Sequence, residues 1–377
     1  MKVYRAYKVE LDPNNKQKTV LLRHAGAARF AWNWALARRI EEYKATGKTL
    51  SAYSLGNELV ALKKTSFTWM KELSSHAVGV PLIHLDKAFS AFFRRLKQGK
   101  KPGFPKFKSR KQGIGSFTMR GLKFGHTKKD YINLPRIGWL HLKEHGYIPT
   151  NGIKILSTTV SQRAGRWFVS VQCEQYIKKV VATGEPVSVD LGIKTLAVVS
   201  DKRKFKNPKA LRQRSGKLAR LQRKLSKQKK GGSNREKTKR LISRLHYRIS
   251  CVRLDAIHKA TSAICAKTKP VSERPSVIVI EDLGIKGMMK NHCLAGAISD
   301  ASMAEFRRQL EYKAKWYGSR VLVADRFFPS SKLCSKCGRK NKKLELKDRR
   351  WACKHCHKTH DRDLNAARNL RQLAPVA

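Results

Sequence analysis

The sequence predicts a multidomain α+β protein, and three observations support that class. Apolar and polar residues alternate over Met1–Leu11 in the manner of a β-strand, and apolar residues then recur at helical spacing over Asn14–Leu96. Alternation returns over Tyr131–Tyr176, so we expect these strands to join the first one in a small antiparallel β-barrel that the helical region interrupts. Later in the chain, apolar strands and helices alternate up to two Cys-x-x-Cys pairs, which predicts an α/β domain with an inserted metal-binding ribbon.

The charge of the chain points to nucleic acid as its partner. Of the 377 residues, 83 are Lys or Arg and 26 are Asp or Glu, which gives a formal net charge of +57. Self-repulsion at this level opposes a compact state unless a polyanion neutralises it, and nucleic acid fits that requirement. No apolar run reaches about 18 residues and the N-terminal segment has no signal-peptide core, so we expect no membrane partner and a cytoplasmic protein.

The segment Lys202–Ser250 concentrates this charge, with twenty Lys or Arg residues against the single acid Glu236. Leu and Ile residues at helical spacing on both sides of Gly231–Ser233 predict a helical hairpin with a narrow apolar seam. A solvated face normally carries mixed charges, so we expect this one to contact phosphate groups. The candidate phosphate contacts are Arg212, Arg220, Arg223 and Lys224.

A second basic segment, Lys100–Gly121, contains Pro and Gly residues that prevent a helix. Its basic residues alternate with Phe104 and Phe107, so the loop is suited to follow a phosphate backbone while its rings pack or stack on bases. A solvated linker with two buried anchor rings is the alternative, and the sequence favours neither interpretation.

Four cysteines, Cys334, Cys337, Cys353 and Cys356, form two Cys-x-x-Cys pairs that fifteen residues separate. Four thiolates at this spacing predict one tetrahedral Zn²⁺ site. Because four cysteine ligands leave no open position for water, we expect the zinc to be structural. A zinc ribbon alone in a basic protein would suit a ribosomal or transcription protein, so the carboxylates elsewhere in the chain decide the interpretation.

Two apolar strands in the second half of the chain end in a carboxylate, Asp190 in the first and Glu281 in the second. An acidic segment, Asp361–Asn365, then begins a helix shortly after the last cysteine pair. One such carboxylate alone is more typical of a helix cap or a surface salt bridge, but the order strand–Asp, strand–Glu, helix–Asp is that of an RNase H-like fold. Three clustered carboxylates would repel one another unless divalent cations neutralise them, and two Mg²⁺ ions at such a site support phosphodiester hydrolysis.

Together these motifs resemble the split RuvC nuclease domain of the TnpB family, which is transposon-encoded and related to the compact type V CRISPR nucleases. The similarity is close over Val187–Leu370, where it includes the Phe-Pro-Ser-Ser-Lys, Cys-Ser-Lys-Cys-Gly and Asn-Ala-Ala-Arg-Asn segments, and looser before it. The resemblance implies a catalytic triad of Asp190, Glu281 and Asp363 that holds two Mg²⁺ ions. Asp363 fits the family pattern better than Asp361, and His357 stands where the family usually has Gly.

The resemblance also implies a domain organisation. A wedge β-barrel would comprise residues 1–11 and 122–180, and a helical recognition lobe with the basic loop would comprise residues 12–121. A RuvC-like nuclease domain would comprise residues 181–326 and 359–377, with the zinc ribbon, a target-binding insert, at 327–358. In this family the lobe and barrel read a short motif that flanks the target. The candidate motif-reading residues, placed by approximate position, are Tyr53, Ser54, Asn57, His76 and Thr118.

These expectations combine into an RNA-guided DNA endonuclease that cuts its target next to a short flanking motif by two-metal phosphodiester hydrolysis. Its partners would be a guide RNA derived from the transposon end and a DNA target in double- and single-stranded form, in the prokaryotic cytosol or nucleoid. One alternative is an unguided RNase H-fold transposase, which would bind its DNA ends without RNA. The other is a cleavage-inactive, guide-dependent repressor, which would be expected to have lost one of the three acids.

Overall fold

The computed structural model describes residues 1–120, 127–128, 130–345 and 347–375, which form two compact units, Met1–Ile177 and Lys178–Ala377. Some predicted features lie outside the described residues. They are the end of the basic loop and the start of the second wedge segment at residues 121–126 and 129, one ribbon residue at 346, and the last two residues, 376–377. Among the described residues, no helix is both long enough and apolar enough to cross a membrane.

The first unit begins with a strand and continues with helices, as the sequence predicts. These elements are β1 (Lys2–Leu11), α1 (Asn15–Thr46), α2 (Ala52–Leu62) and α3 (Ser75–Lys97). Helix α1 begins at a capping box in which Asn14 and Gln17 each accept the other's backbone N–H at 2.9 Å. It ends at Gly47, whose φ of 70° provides the left-handed C-cap. The alanines along α1 let it approach its neighbours closely on both sides, so one helix contributes to two apolar cores.

The β-strands of the first unit form two antiparallel sheets. The remaining strands are β2 (Ser116–Arg120), β3 (Thr127–Lys128), β4 (Tyr131–Leu134), β5 (Gly138–His141), β6 (Ile153–Arg163) and β7 (Arg166–Tyr176). One sheet has the order β1-β7-β6-β2 and the other β3-β4-β5. An isolated backbone bridge joins Leu11, the last residue of β1, to Leu142, which directly follows β5.

The prediction of a closed β-barrel is therefore corrected to two open sheets among the described strands. The physical reason lies in how the apolar face of the four-stranded sheet is covered. Leu21 and Ala25 of α1 and Ala77 of α3 belong to the same core as Val169 and Val171 of β7. Helices, together with Ile132 and Leu134 of β4 and Leu140 of β5, thus bury the face that further strands of one continuous sheet would bury in a closed barrel.

The second unit contains a five-stranded mixed sheet with the order β10-β9-β8-β11-β12. Its strands are β8 (Val187–Leu191), β9 (Thr195–Val199), β10 (Lys204–Lys206), β11 (Val277–Glu281) and β12 (Arg320–Ala324). Strands β8, β11 and β12 run parallel, and β9 and β10 form an antiparallel edge. The hairpin at Asp190 and the buried strand ending at Glu281 are thereby confirmed.

The helices of this unit are α4 (Ser215–Lys227), α5 (Ser233–Ile264), α6 (Ile285–Met288), α7 (His292–Ala301), α8 (Met303–Tyr317) and α9 (Arg362–Arg371). Helices α5 and α8 cover one face of the sheet, and α9 covers the other. Ile278 and Ile280 of β11 pack with α5 and α8, whereas Val277 and Val279 pack with Leu370 of α9. Burial on both faces explains why this strand is apolar throughout and does not alternate. The predicted zinc ribbon precedes α9 and contains the short strand β13 (Arg350–Ala352), which pairs with β14 (Thr359–Asp361) just after the predicted boundary of the ribbon.

A buried cation lies between α5 and α8. The Nζ of Lys313 donates hydrogen bonds to the His258 carbonyl at 2.9 Å, Thr261 Oγ1 at 2.7 Å and Ser262 Oγ at 2.9 Å. Burial lowers the pKa of Lys313 to about 8. Because these three acceptors are neutral, the hydrogen bonds compensate only in part for taking the charged ammonium out of water.

Candidate active site

Two of the three predicted carboxylates lie at the same edge of the five-stranded sheet. Strands β8 and β11 run parallel with Val189 opposite Ile280, and the next residues along the two strands are Asp190 and Glu281. Carboxyl ends of neighbouring parallel strands meet at one edge, which is where open α/β sheets place their functional groups. The sequence prediction that these acids lie near each other is therefore consistent with the sheet register.

Helix α9 brings the third carboxylate to this edge. The hydroxyl of Ser188, two residues before Asp190, donates a hydrogen bond to the Ala367 carbonyl of α9, which ties the helix to β8. Asp363 is the second residue of α9, in its first turn. Both β8 and β11 contact this helix, so the two strands and the helix converge as the sequence predicts.

The electrostatics of Asp190 show that the three carboxylates interact. Burial raises the pKa of Asp190 well above its ordinary value, and the charges of Glu281 and Asp363 raise it further. Arg362 and Arg349 act in the opposite direction. Asp363 Oδ1 lies 3.6 Å from the guanidinium of Arg349, an ion pair that is partly exposed. A group of three half-buried acids with this little compensation favours a bound cation.

Asp361, the other candidate in the same segment, has a different environment. It is the N-cap of α9, and its Oδ1 accepts the N–H of Leu364 at 3.1 Å while its Oδ2 pairs with Lys204 Nζ at 2.8 Å. Although partial burial opposes the effect, the Lys204 ammonium and the Leu364 amide lower the pKa of Asp361 below its ordinary value. Both oxygens of Asp361 thus have structural partners.

The structure adds residues that the sequence prediction missed. The Ser330 hydroxyl donates a hydrogen bond to Glu281 Oε1, and Arg349 contacts Asp363. Buried Asn365 and Asn369 on α9 bind the backbone that leads into the ribbon. Both belong to the Asn-Ala-Ala-Arg-Asn segment of the family resemblance, and their spacing of four residues, which places both on one face of a helix, is a second signal in the sequence.

The four predicted zinc ligands converge in the ribbon. The Sγ atoms of Cys334, Cys337, Cys353 and Cys356 all lie within 4.8 Å of one another. The Cys334–Cys356 and Cys337–Cys353 separations are 3.5 and 3.6 Å, near the edge of about 3.8 Å expected for a tetrahedron with Zn–S bonds of about 2.3 Å. Among the described residues, these four cysteines form the group of possible metal ligands whose ligand atoms all lie within 4.8 Å of one another. The carboxylates of Asp190, Glu281 and Asp363 are spaced more widely than this.

The two cysteine knuckles make the same turn with different residues. The N–H of Gly338 bonds to the Cys334 carbonyl at 2.8 Å, and the N–H of His357 bonds to the Cys353 carbonyl at 2.9 Å. Both residues have positive φ, 72° at Gly338 and 55° at His357. The second knuckle therefore places a non-glycine residue in the left-handed region, which explains in physical terms why glycine is usual at this position of the family.

The motif-reading candidates lie in the first unit, and most of them share one groove. Tyr53, Asn57, His76 and Thr118 line a groove of about 1280 Å³ that α2, α3 and the four-stranded sheet enclose. Ser54 does not line it; its hydroxyl bonds to Ser51 Oγ at 2.8 Å at the start of α2. Four of the five candidates, which were chosen by approximate position, therefore lie on a single surface.

The basic loop before β2 is fixed against α1. The Trp32 indole donates to the Lys106 carbonyl at 3.0 Å, and Asn33 exchanges two hydrogen bonds with the backbone of Lys108 at 2.8 and 2.9 Å. Phe104 meets the rings of Phe89 and Phe92 edge-on but stays 49% exposed, and Phe107 is 53% exposed. The two rings are thus not the buried anchors of the linker alternative.

The predicted basic hairpin consists of α4 and α5, with Leu218, Leu221 and Leu245 in its apolar seam. Asp300 fixes its base, since this carboxylate pairs with Arg253 at 2.7 Å and accepts the N–H of Leu211 at 3.0 Å. The four candidate phosphate contacts are exposed on the hairpin and on the turn that leads into it; they are Arg212, Arg220, Arg223 and Lys224.

Comparison with known proteins identifies the family. Residues 166–292 match a family model described as "Probable transposase", residues 304–370 one described as "Cas12f1-like, TNB domain", and residues 1–48 one described as "Helix-turn-helix domain". A protein of Streptomyces pristinaespiralis named "Putative RNA-guided DNA endonuclease" is 39% identical over 98% of this chain and 89% of its own length. The chain belongs to the TnpB family. An Escherichia coli K12 relative, "Putative RNA-guided DNA endonuclease InsQ", is 34% identical over 98% of this chain and 92% of its own length.

A solved structure supports the fold of this TnpB family member. The Cas12f1 chain in the complex titled "Cryo-EM structure of the Cas12f1-sgRNA-target DNA complex" aligns with a TM-score of 0.58 at 15% identity, over 98% of this chain and 99% of that one. At this identity the likeness concerns the fold alone. The segment that matches the helix-turn-helix model consists here of strand β1 and the single long helix α1.

Proposed function

We propose that this TnpB family member is an RNA-guided DNA endonuclease that hydrolyses the target phosphodiester at Asp190, Glu281 and Asp363. The observation that carries the proposal is the convergence of these acids from β8, β11 and α9 in a chain whose close relatives are named RNA-guided DNA endonucleases. A repressor of the same ancestry would have no need to retain three acids that repel one another. The proposed catalytic group is therefore complete.

The residues of the candidate site suit Mg²⁺. Three carboxylates and a strongly raised pKa at Asp190 form a hard oxygen donor set that lacks sufficient positive charge. Asp190 interacts with both other acids, so it would contact both ions, with Glu281 and Asp363 completing one site each. Bound Mg²⁺ supplies Lewis acidity towards a phosphodiester and its attacking water. The guanidinium of Arg349, beside Asp363, is suited to hold a phosphate oxygen of the DNA strand.

The zinc ribbon has a structural role in this proposal. Four thiolates complete a tetrahedral zinc site, and Leu344 and Trp351 form a small apolar core beside them. The chain passes directly from the ribbon into α9, which carries Asp363. Zinc would thus order the segment that delivers the third carboxylate, in addition to the predicted contact of residues 327–358 with target nucleic acid.

Nucleic-acid contacts follow from the exposed basic surfaces of each unit. The α4–α5 hairpin would bind guide RNA through phosphate contacts at residues such as Arg220 and Arg223. The groove containing Tyr53 and His76 would receive the short flanking motif. Exposed Phe104, on a loop that hydrogen bonds fix to α1, would stack on an unpaired base. The wedge, lobe, nuclease and ribbon boundaries stated above belong to the same proposal.

Substitution of each carboxylate tests the catalytic part of the proposal. Asp190→Ala, Glu281→Ala and Asp363→Ala complexes should lose Mg²⁺-dependent DNA cleavage while retaining guide RNA and target binding, because only metal ligands are removed. Asp282→Asn is the matched control, since Asp282 follows Glu281 but pairs with Arg307 at 3.0 Å and with Arg326. Cleavage by any of the three alanine variants at the wild-type rate, or cleavage in EDTA, would contradict the proposal.

A further inference from the structure

Two buried asparagines on α9 hold the backbone that enters the zinc ribbon. Asn365 donates to the Leu333 carbonyl at 2.6 Å and accepts the N–H of Ser335 at 2.9 Å, so it binds both residues that flank Cys334. Asn369, one turn later, donates to the carbonyls of Ser330 at 2.7 Å and Leu333 at 2.8 Å. Each asparagine residue is 1% exposed, so these bonds are shielded from water.

The same backbone segment contacts a catalytic carboxylate. Ser330 is 6% exposed, and its hydroxyl donates to Glu281 Oε1 while its carbonyl accepts from Asn369. The Ser188 hydroxyl also joins the strand of Asp190 to α9, through the Ala367 carbonyl. A continuous set of hydrogen bonds thus connects the elements carrying all three acids with the Cys334 knuckle.

We propose that Ser330 is a positioning residue for Glu281, and that Asn365 and Asn369 hold Ser330 and the Cys334 knuckle in place against α9. This inference rests on the proposed function, in which Glu281 is a metal ligand. A glutamate at the end of a strand rotates about several side-chain bonds, and one donated hydrogen bond at Oε1 restricts that rotation. The other carboxylate oxygen, Oε2, then remains free to bind a cation in a defined direction.

The arrangement differs from ordinary helix docking in one respect that can be measured. A buried serine needs a hydrogen-bond partner, and backbone carbonyls serve most often. Here the acceptor is a carboxylate that interacts electrostatically with Asp190. If Ser330, Asn365 and Asn369 only dock α9, substitution of these residues should lower stability without changing the affinity for the cation. If Ser330 positions Glu281, loss of its hydroxyl should weaken cation binding even where stability is unchanged.

Binding of Mn²⁺ provides a test that does not depend on cleavage. Mn²⁺ bound to the full-length protein with its guide RNA is measured from the loss of the free-ion EPR signal, and binding to the Glu281→Ala complex is subtracted as background. After this background is subtracted, we expect Ser330→Ala to weaken the Mn²⁺ affinity about 10- to 100-fold, as is typical when a hydrogen-bond partner of a metal ligand is removed. Ser330→Thr, which keeps the hydroxyl, should restore it.

Variants of two residues at the end of α9 separate the positioning of Ser330 from other effects of weakening the contact between α9 and the Cys334 knuckle. Asn369→Ala should weaken Mn²⁺ binding in the same direction, because the Ser330 backbone loses its anchor. Gln372→Ala is the matched control: Gln372 also contacts the knuckle, through the Ser335 carbonyl at 3.3 Å, but it is exposed and does not reach Ser330. Its Mn²⁺ affinity should equal that of the wild type.

Wild-type Mn²⁺ affinity in the Ser330→Ala complex would overturn the inference. So would an Asn369→Ala complex that unfolds more readily but binds Mn²⁺ normally, since that result describes docking alone. The two proposals fail separately. Suppose that the wild-type complex binds Mn²⁺ through Glu281, with an affinity that depends on the Ser330 hydroxyl, but cuts no guided DNA target. That result would refute the proposed function and leave the positioning role of Ser330 intact.

Discussion

Asp361 and Asp363 lie two residues apart, yet the structure predicts opposite consequences for their substitution. In Asp361→Ala the N-cap bond to Leu364 is lost, which costs about 1 kcal/mol. The Lys204 pair adds at most about 1 kcal/mol, because both side chains are more than one-third exposed. The sum of about 1–2 kcal/mol should lower the Tm of a unit of this size by about 2–8 °C. Most cleavage activity should remain, because Asp363 is still present.

Asp363→Asn should give the reverse pattern. Removing one of three mutually repelling acids leaves stability unchanged or higher, whereas cleavage should fall to the background level. Asp361→Asn is the matched control, since an asparagine keeps the cap and loses only the Lys204 pair. Thermal unfolding and cleavage of a guided target are measured on the same preparations. An inactive Asp361→Ala protein together with an active Asp363→Asn protein would refute the assignment.

Three further predictions concern zinc, the second knuckle and the buried lysine. Cys353→Ser should abolish the single bound zinc, measured by elemental analysis, and with it cleavage, because structural zinc contributes on the order of 10 kcal/mol to such sites; a zinc-free active protein would contradict this. His357→Gly should stabilise the ribbon by about 1 kcal/mol in chemical denaturation, since φ is 55° there, and a destabilised variant would contradict the strain argument. Lys313 has a pKa of about 8 in the folded protein against 10.5 for an unperturbed lysine, so the unfolded chain binds more protons between these pH values and the free energy of unfolding should rise there, by about 3 kcal/mol in total. Lys313→Met should remove this rise in urea denaturation, and an unchanged pH dependence would refute it.

The sequence was informative where a single segment carries its own signal. The apolar runs before Asp190 and Glu281 predict buried strands because a strand covered on both faces has few polar positions. The cysteine spacing predicts the zinc ligands because the knuckle is a local turn. The choice of Asp363 over Asp361 came from the family resemblance, and the structure gives it a physical basis in the cap that Asp361 forms.

The remaining features depend on contacts between distant parts of the chain. Nothing near Ser330 indicates that its hydroxyl meets Glu281, 49 residues earlier in the chain. The open sheets of the first unit could not be distinguished from a barrel, because strand alternation reports a covered face without indicating what covers it. Coverage by the alanines of α1 and by α3 became evident only in the assembled core.

Dependence on a guide RNA tests the central claim most directly. Protein isolated with its RNA should cut one DNA target, and the same protein loaded with a guide whose targeting segment has been exchanged should cut only the newly matching target. Removal of the RNA by nuclease should abolish specific cleavage, since base pairing then no longer selects the site. RNA-free protein that cuts the original site unaided would contradict the account and favour an unguided transposase, because the same three carboxylates serve both reactions.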